Sequence, residues 1–547
     1  MSKMKRTMVI IIAAIMCFTL MACQNVKPEV TPATPTNPAD NTGTDKLLDG
    51  GVTNPTGYPI VNQPVTLRAA VTQLSNLGDV SKRKIWKTIE ETTGVKIDLE
   101  FYADTEKVNL MLASRDYPDI TFRLDSTGTA MADAIEAGDL LCLDDYMQYA
   151  PTISSFLEEK PEMRNYLKSS DGKVYNFAQI YLDETSYNLR DQWFINKKWL
   201  DELNLNIPTT TDEFFSVMKA FKDNAGKGTI PENVVPFYAR HAQGICGLYD
   251  LYGAFGVYSP TIYPNANFIY VDNKIQLQAV NPLLKNALKF ARDMYAEGIL
   301  QPQMFTDDWN AFISTVSSDP PVVGAFQAYN DYTNLKYFYP MAPFKNTNGD
   351  PTYMRRQQKG AAVNFRVFSK CKYPVAAVRV ADFMCQPENS MTLAFGSQNV
   401  GWKYNDKGEF EVIAGAQFAQ ADEDGQLGNL VPAITTSEMY KNPNMNTEGT
   451  REWAYENLYK QFLPEQVFER PFYVAPTATL EYTTRQQKIA DLKKQVDEYV
   501  NKMHADWITG TKDIDATWDE YVKNIYNLGA EELMQLLQID LDEGLAR

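Results

Sequence analysis

Histidine is almost missing from this chain: two residues, His241 and His504, among 547. No His-Glu-x-x-His metal motif can therefore be written, and neither a Gly-x-Ser-x-Gly elbow nor a Gly-x-x-x-x-Gly-Lys phosphate loop occurs. Basic charge is also short, with 52 Lys and Arg against 69 Asp and Glu and a net charge of −17, which excludes nucleic-acid binding by bulk electrostatics. Long apolar runs are lacking too. The one extended run, Met8 to Met21, falls short of the roughly 20 residues that span a bilayer. Cysteine is sparse, six residues with no Cys-x-x-Cys spacing. Beyond Cys17 and Cys23, the remaining Cys142, Cys246, Cys371 and Cys385 read as buried thiols, with two disulfides as the alternative. What is present is ordinary globular composition, 44% hydrophobic and 22% charged, enough for two or more cores.

The N-terminus is an export signal. Lys3, Lys5 and Arg6 precede the apolar run, which ends in Leu20, Met21, Ala22 and Cys23. This tetrad resembles the lipobox of bacterial lipoproteins, which implies cleavage after residue 22, lipidation of Cys23 and attachment to the outer face of the cell membrane. Residues 23–64 are rich in Pro, Thr, Asn and Gly and are expected to form a disordered tether.

After Pro64 the pattern changes. Val65, Leu67, Ala69 and Val71 alternate as a strand, Ile85, Trp86 and Ile89 share a helix face closed by Gly94, and Val95 to Phe101 alternate again. Helices over Val108–Ser114 and Met131–Ala137 flank a short strand over Asp119–Arg123. This strand, helix, strand order predicts a parallel sheet covered by helices. Farther on, Thr210 and Glu213 have capping-box spacing ahead of Phe214, Val217, Met218 and Phe221. Asn281 and Pro282 begin a helix expected to turn Leu283, Ala287, Phe290 and Met294 inward. Ile489, Leu492, Val496, Val500 and Met503 form a long amphipathic stripe, on which His504 reads as a solvated or helix-end residue.

Several stretches carry a family resemblance: NLMLASRDYPDIT (109–121), GDLLCLDDY (138–146), DGKVY (171–175), WFINKKWLDEL (193–203) with IPTTTDEF (207–214), FSKCKYPVAAVRVADF (368–383) and TWDEYV (517–522). The chain resembles extracellular solute-binding proteins of the carbohydrate-uptake class, the large lipoprotein branch serving ABC importers in Gram-positive bacteria. It departs at NVGW (399–402), where the branch often has a Gly-Glu-Gly turn. The resemblance implies a type II periplasmic-binding-protein-like α/β fold of two discontinuous lobes joined by a hinge. The expected lobes are 65–185 with 356–398, and 186–355 with 399–547. The implied partners are an oligosaccharide, the transmembrane permease and the membrane, with the protein acting as a monomer and without catalysis.

A sugar offers apolar ring faces and a belt of hydroxyls, so its site needs aromatic platforms and planar hydrogen-bonding groups. Carried over by position, Asn76 and Asp79 follow the first strand, and Arg123 and Asp125 follow the third, as hydroxyl ligands. Trp193, Arg240, His241, Trp309, Phe326, Tyr329, Arg366 and Trp402 complete the expected site. Each has a plainer alternative: Trp193 and Trp402 as inter-domain core, Arg240 as a surface ion pair, His241 as a structural histidine, and Phe326 or Tyr329 as packing. No cofactor is expected; Asp422-Glu-Asp424-Gly425 only loosely resembles a calcium loop, so a structural calcium stays as the alternative. Other solutes, a peptide or a charged saccharide, and a polysaccharide-degrading enzyme with paired carboxylates, are the competing functions.

Overall fold

Alternation places Val65, Leu67, Ala69 and Val71 on one buried face of a strand, and Gly94, in the left-handed region at φ 76°, ends the following helix Lys84–Thr93. The computed structural model in which this is seen describes residues 47–545, apart from 74–78, 125–129, 170, 183–188, 190, 242–245, 259–266, 330–332, 334, 346–348, 350–351, 355–360, 414–426, 428–429 and 466–479.

Among the described residues ten strands build the two larger sheets: β1 (Val65–Thr72), β2 (Val95–Tyr102), β3 (Ile120–Thr121), β4 (Phe177–Leu182), β5 (Gln192–Asn196), β6 (Val235–Phe237), β7 (Val323–Ala328), β8 (Phe338–Met341), β9 (Ala361–Val367) and β10 (Ala433–Thr436). The first sheet runs β10-β4-β9-β3-β1-β2 and the second β8-β5-β7-β6. In the first, β9 alone runs against its neighbours; in the second, β5 does. The all-parallel expectation therefore fails at the strands by which the chain returns from one sheet to the other.

Each sheet has its own core. Leu67, Ile120, Phe177, Phe365 and Ala433 belong to the first; Trp193, Phe214, Phe237, Ala325 and the stripe Ile489 to Met503 belong to the second. The stripe is buried as expected on the helix Leu480–Ile508. The capping box at Thr210 is formed: its side chain accepts from Glu213 N, and Glu213 in turn reaches back to the backbone of Thr210. In the helix Pro282–Ala296 the inward row is Leu284, Ala287, Leu288, Ala291 and Met294, so Leu283 and Phe290 flank the core instead of filling it.

Three expectations need correction. Residues 47–64 are not free tether, because they hold enough apolar groups to dock: Ile60 and Val61 are buried in the first core. Asp49 accepts the amides of Val375 and Ala376 at 3.3 and 3.0 Å, at the start of helix Pro374–Met384, and Arg379 donates to Gly57 O at 2.6 Å. Next, β10 pairs in parallel with β4, and Leu427, Leu430 and Val431 join the first core, so the segment from 399 onward serves both sheets. Finally, His504 is 1% exposed between Trp507 and Tyr521, and burial holds its pKa down to about 3. Cys142, Cys246, Cys371 and Cys385 are free thiols, three of them buried. Among the described residues no helix is long and apolar enough to cross a membrane.

Candidate functional site

Topology decides where a ligand can sit. In the first sheet the C-terminal ends of β1, β2, β3, β4 and β10 lie along one edge, and β9 begins there. In the second, the C-terminal ends of β6, β7 and β8 share an edge with the start of β5. The chain passes from the end of β4 to the start of β5, and from the end of β8 to the start of β9. Both crossings thus join these two edges, which is the arrangement that creates a ligand crevice at strand ends.

The crossings are packed together. Leu189 from the first, Met354 from the second, and Ala454, Tyr455, Tyr459 and Phe462 from the segment after β10 form one buried cluster. The Tyr459 hydroxyl accepts from Trp193 N at 2.7 Å and donates to Met341 O at 2.9 Å, tying β5 and β8 to that segment.

The expected residues separate into groups. Trp309, 44% exposed, and Tyr329, 37% exposed, stand at the second edge. Asp308 caps the helix that begins at Trp309, which holds Trp309 and Phe312 on one face with ring centroids 5.2 Å apart. Beneath them the Arg240 guanidinium is buried, 5.9 Å from the Trp309 ring and 5.1 Å from Phe312. Arg240 is therefore no surface ion pair; it backs two aromatic rings. Tyr329 is backed in the same way by Arg451, at 4.1 Å, and Arg451 also donates to Leu189 O.

Trp193, Phe326 and Trp402 are core. Trp193 packs on Phe214, Phe237 and Phe344, and Phe326 packs on Phe194 and Phe338. Trp402 opens a strand of a small three-stranded sheet, its Nε1 3.2 Å from Thr392 Oγ1. Large rings on strands were equally compatible with core, and core packing claimed these three. His241 is structural: its Nε2 meets Asn501 O at 3.1 Å, its ring packs on Phe305, and burial lowers its pKa. Asp79 is committed locally, accepting from Ser81 N at 3.2 Å and pairing with Lys82 at 3.1 Å.

In the first sheet, Arg123 is half-buried and follows β3, with its amide on Leu430 O and its carbonyl receiving Thr72 N, both at 2.8 Å. Arg366, on β9, is opposite Thr121. Asn76, Asp125, Cys23 and Asp422 to Gly425 lie outside the described residues. Phe312 and Arg451 were missed by sequence reasoning. The i, i+3 spacing of Trp309 and Phe312 was a legible signal; nothing local points from Arg451 to Tyr329. Among the described residues no group of three or more His, Cys, Asp or Glu gathers to hold a metal ion.

No protein-family model matches the chain. It is 24% identical over 489 residues, 85% of its length and 88% of the other, to a fructooligosaccharide ABC transporter substrate-binding protein, FusA, of Streptococcus pneumoniae. A solved EF-hand mutant of S. pneumoniae FusA in complex with fructo-nystose is similar at TM-score 0.72 and 22% identity, covering 88% of this chain and 99% of that one. A human-milk-oligosaccharide-binding (HMO-binding) solute-binding protein of Bifidobacterium longum infantis is similar at TM-score 0.71 and 19% identity, covering 88% and 99%. Two sheets, crossing strands and these likenesses define the two-lobe α/β fold of the solute-binding proteins. Within that fold the chain is similar to solute-binding proteins of the carbohydrate-uptake class that serve ABC importers.

Proposed function

We propose that this protein captures an oligosaccharide between its two lobes and hands it to the transmembrane permease of an ABC importer. It works as a monomer held at the outer face of the membrane by lipid on Cys23. The observation that carries this is the pair of half-open aromatic faces, Trp309 and Tyr329, each backed by an arginine at the edge of the second sheet. A cation behind a ring restrains it in a fixed plane, and a fixed plane can stack on the apolar face of a pyranose or furanose with little ordering left to do. Closing the hinge would then bring the polar edge of the first sheet onto the sugar hydroxyls, giving the permease a shape to read.

Binding without hydrolysis is supported by the described carboxylates. The one whose pKa is raised, Asp382 at about 6, is buried and engaged by Ile153 N at 2.9 Å and Thr152 Oγ1 at 3.0 Å, capping a helix of the first lobe. No cofactor is part of this reading. Metal analysis of the purified chain tests whether a structural calcium accompanies it, a question the EF-hand of the FusA relative raises.

A thermal-shift screen against neutral oligosaccharides, acidic oligosaccharides and peptides, with chromatography of each mixture afterwards, tests the reading. A ligand that binds only the folded state raises the midpoint. One glycan class is expected to do so and to emerge intact. Cleaved glycans, or a shift with peptides alone, would overturn it.

A further inference from the structure

Among the described residues β6 is the terminal strand of the second sheet. The stretch that follows helix Pro282–Ala296 approaches it and touches it at two points. Phe237 N donates to Ile299 O at 3.4 Å, and His241 N, just past the strand, donates to Met304 O at 2.7 Å. Strand and stretch together wall a cavity of about 530 Å³. That lies within the roughly 300–1,000 Å³ of small-molecule sites. It is separate from the crevice, since Arg123, Trp309 and Tyr329 take no part in its lining.

Val234, Phe237, Ala239 and Met304 give it a buried, apolar floor. Above them stand the amide side chains of Asn233, Gln301 and Gln303. Charge comes from Glu232 and Asp307 against Lys222. Two of these three are engaged within the protein: Lys222 donates to Glu297 O, and Asp307 Oδ2 accepts the Tyr238 hydroxyl at 2.8 Å.

Each feature removes a class of occupant. Two carboxylates against one engaged ammonium disfavour an anion such as phosphate or a uronate. A lipid chain would cover three amides and leave them without partners. A peptide strand added to β6 would meet Pro236 at the middle of that strand, where there is no N–H to pair. A neutral sugar suits all of the lining: its ring face covers the apolar floor, and its hydroxyls donate and accept, as amides do.

We infer that this cavity binds a neutral mono- or disaccharide unit, giving the protein a second saccharide site on the flank of the second lobe, outside the crevice. The inference goes beyond the transport reading and stands on different residues.

Hydrogen exchange of the full chain, titrated with sucrose and separately with digalacturonate, tests this. Sucrose is expected to slow exchange saturably in 232–239 and 298–307, in the parent and in Trp309→Ala alike. Asn233 and Gln303 are exposed, so Asn233→Ala combined with Gln303→Ala should leave the fold unchanged, which the thermal midpoint checks. That double variant should raise the half-saturating sucrose concentration at least about 10-fold, the loss expected of two hydrogen bonds. Ala225→Trp, at an exposed position of the lining, should block the site without removing a polar group. Digalacturonate should give no protection there. Absence of saturable protection in the two segments would overturn the inference, as would protection that survives both sets of substitutions. Equal protection by digalacturonate would overturn the assignment to a neutral sugar. Slowing confined to the strand ends around Arg123, Trp309 and Tyr329 would also overturn the inference while leaving the transport reading intact.

Discussion

The two sheet edges that meet at the crevice treat their arginines in opposite ways. In the second lobe Arg240 and Arg451 lie behind the rings of Trp309, Phe312 and Tyr329. In the first lobe Arg366 lies within the sheet, next to last on β9 and opposite Thr121, away from the edge where that strand begins. One edge offers fixed flat surfaces, and the other offers the half-buried Arg123 that follows β3. A sugar has both kinds of surface, so the difference describes a division of labour that neither lobe could perform alone.

The strongest way to probe the contrast is acid, because the lobes titrate with opposite signs. His504, in the second lobe, has its pKa depressed from 6.5 to about 3 by burial. The unfolded chain therefore binds its proton more readily, and the stability contribution, present above pH 6.5, is lost as pH falls towards 3. A shift of that size is worth on the order of 4 kcal/mol. Asp382, in the first lobe, has its pKa raised from 3.8 to about 6. Its contribution is present below pH 3.8 and is lost as pH rises through 6. Hydrogen exchange at pH 7 and pH 4.5 should show the second lobe opening more readily in acid while the segment around helix Pro374–Met384 gains protection. His504→Phe should flatten the acid limb.

Within the second lobe, truncation separates core from site. Trp193→Ala should cost about 3–5 kcal/mol in chemical denaturation, since the ring is fully enclosed by Phe214, Phe237 and Phe344. Tyr459→Phe should cost about 1–3 kcal/mol, because Trp193 N and Met341 O lose their shared buried partner. Trp309→Ala, at 44% exposure, should change stability by less than about 1 kcal/mol yet weaken oligosaccharide binding roughly 10-fold. Equal losses of stability at Trp193 and Trp309 would dissolve the distinction between them.

Much of the fold could be read from the chain. Alternation at Val65–Val71, the stop at Gly94, the capping box at Thr210 and the stripe from Ile489 to Met503 are local signals, and local physics decided them. The antiparallel course of β9 and the pairing of β10 with β4 are set by contacts between segments hundreds of residues apart, which no window of sequence contains. The docked segment 47–64 was obscured because its prolines and polar residues outnumber Val52, Ile60 and Val61, the groups that anchor it. The site was legible by residue type more than by position. Trp193, Phe326 and Trp402 satisfy the requirement for aromatic rings as well as Trp309 does, and only burial tells them apart.

The central claim is that one glycan touches both edges at once. Hydrogen exchange of the chain with and without the glycan that raises its melting midpoint tests it most directly. The account predicts protection at two separate places, around Arg123 in the first lobe and around Trp309–Phe312 and Tyr329 in the second, with the crossing segments at Leu189 and Tyr459 slowed by closure. Protection confined to one lobe, or protection far from both edges, would contradict it.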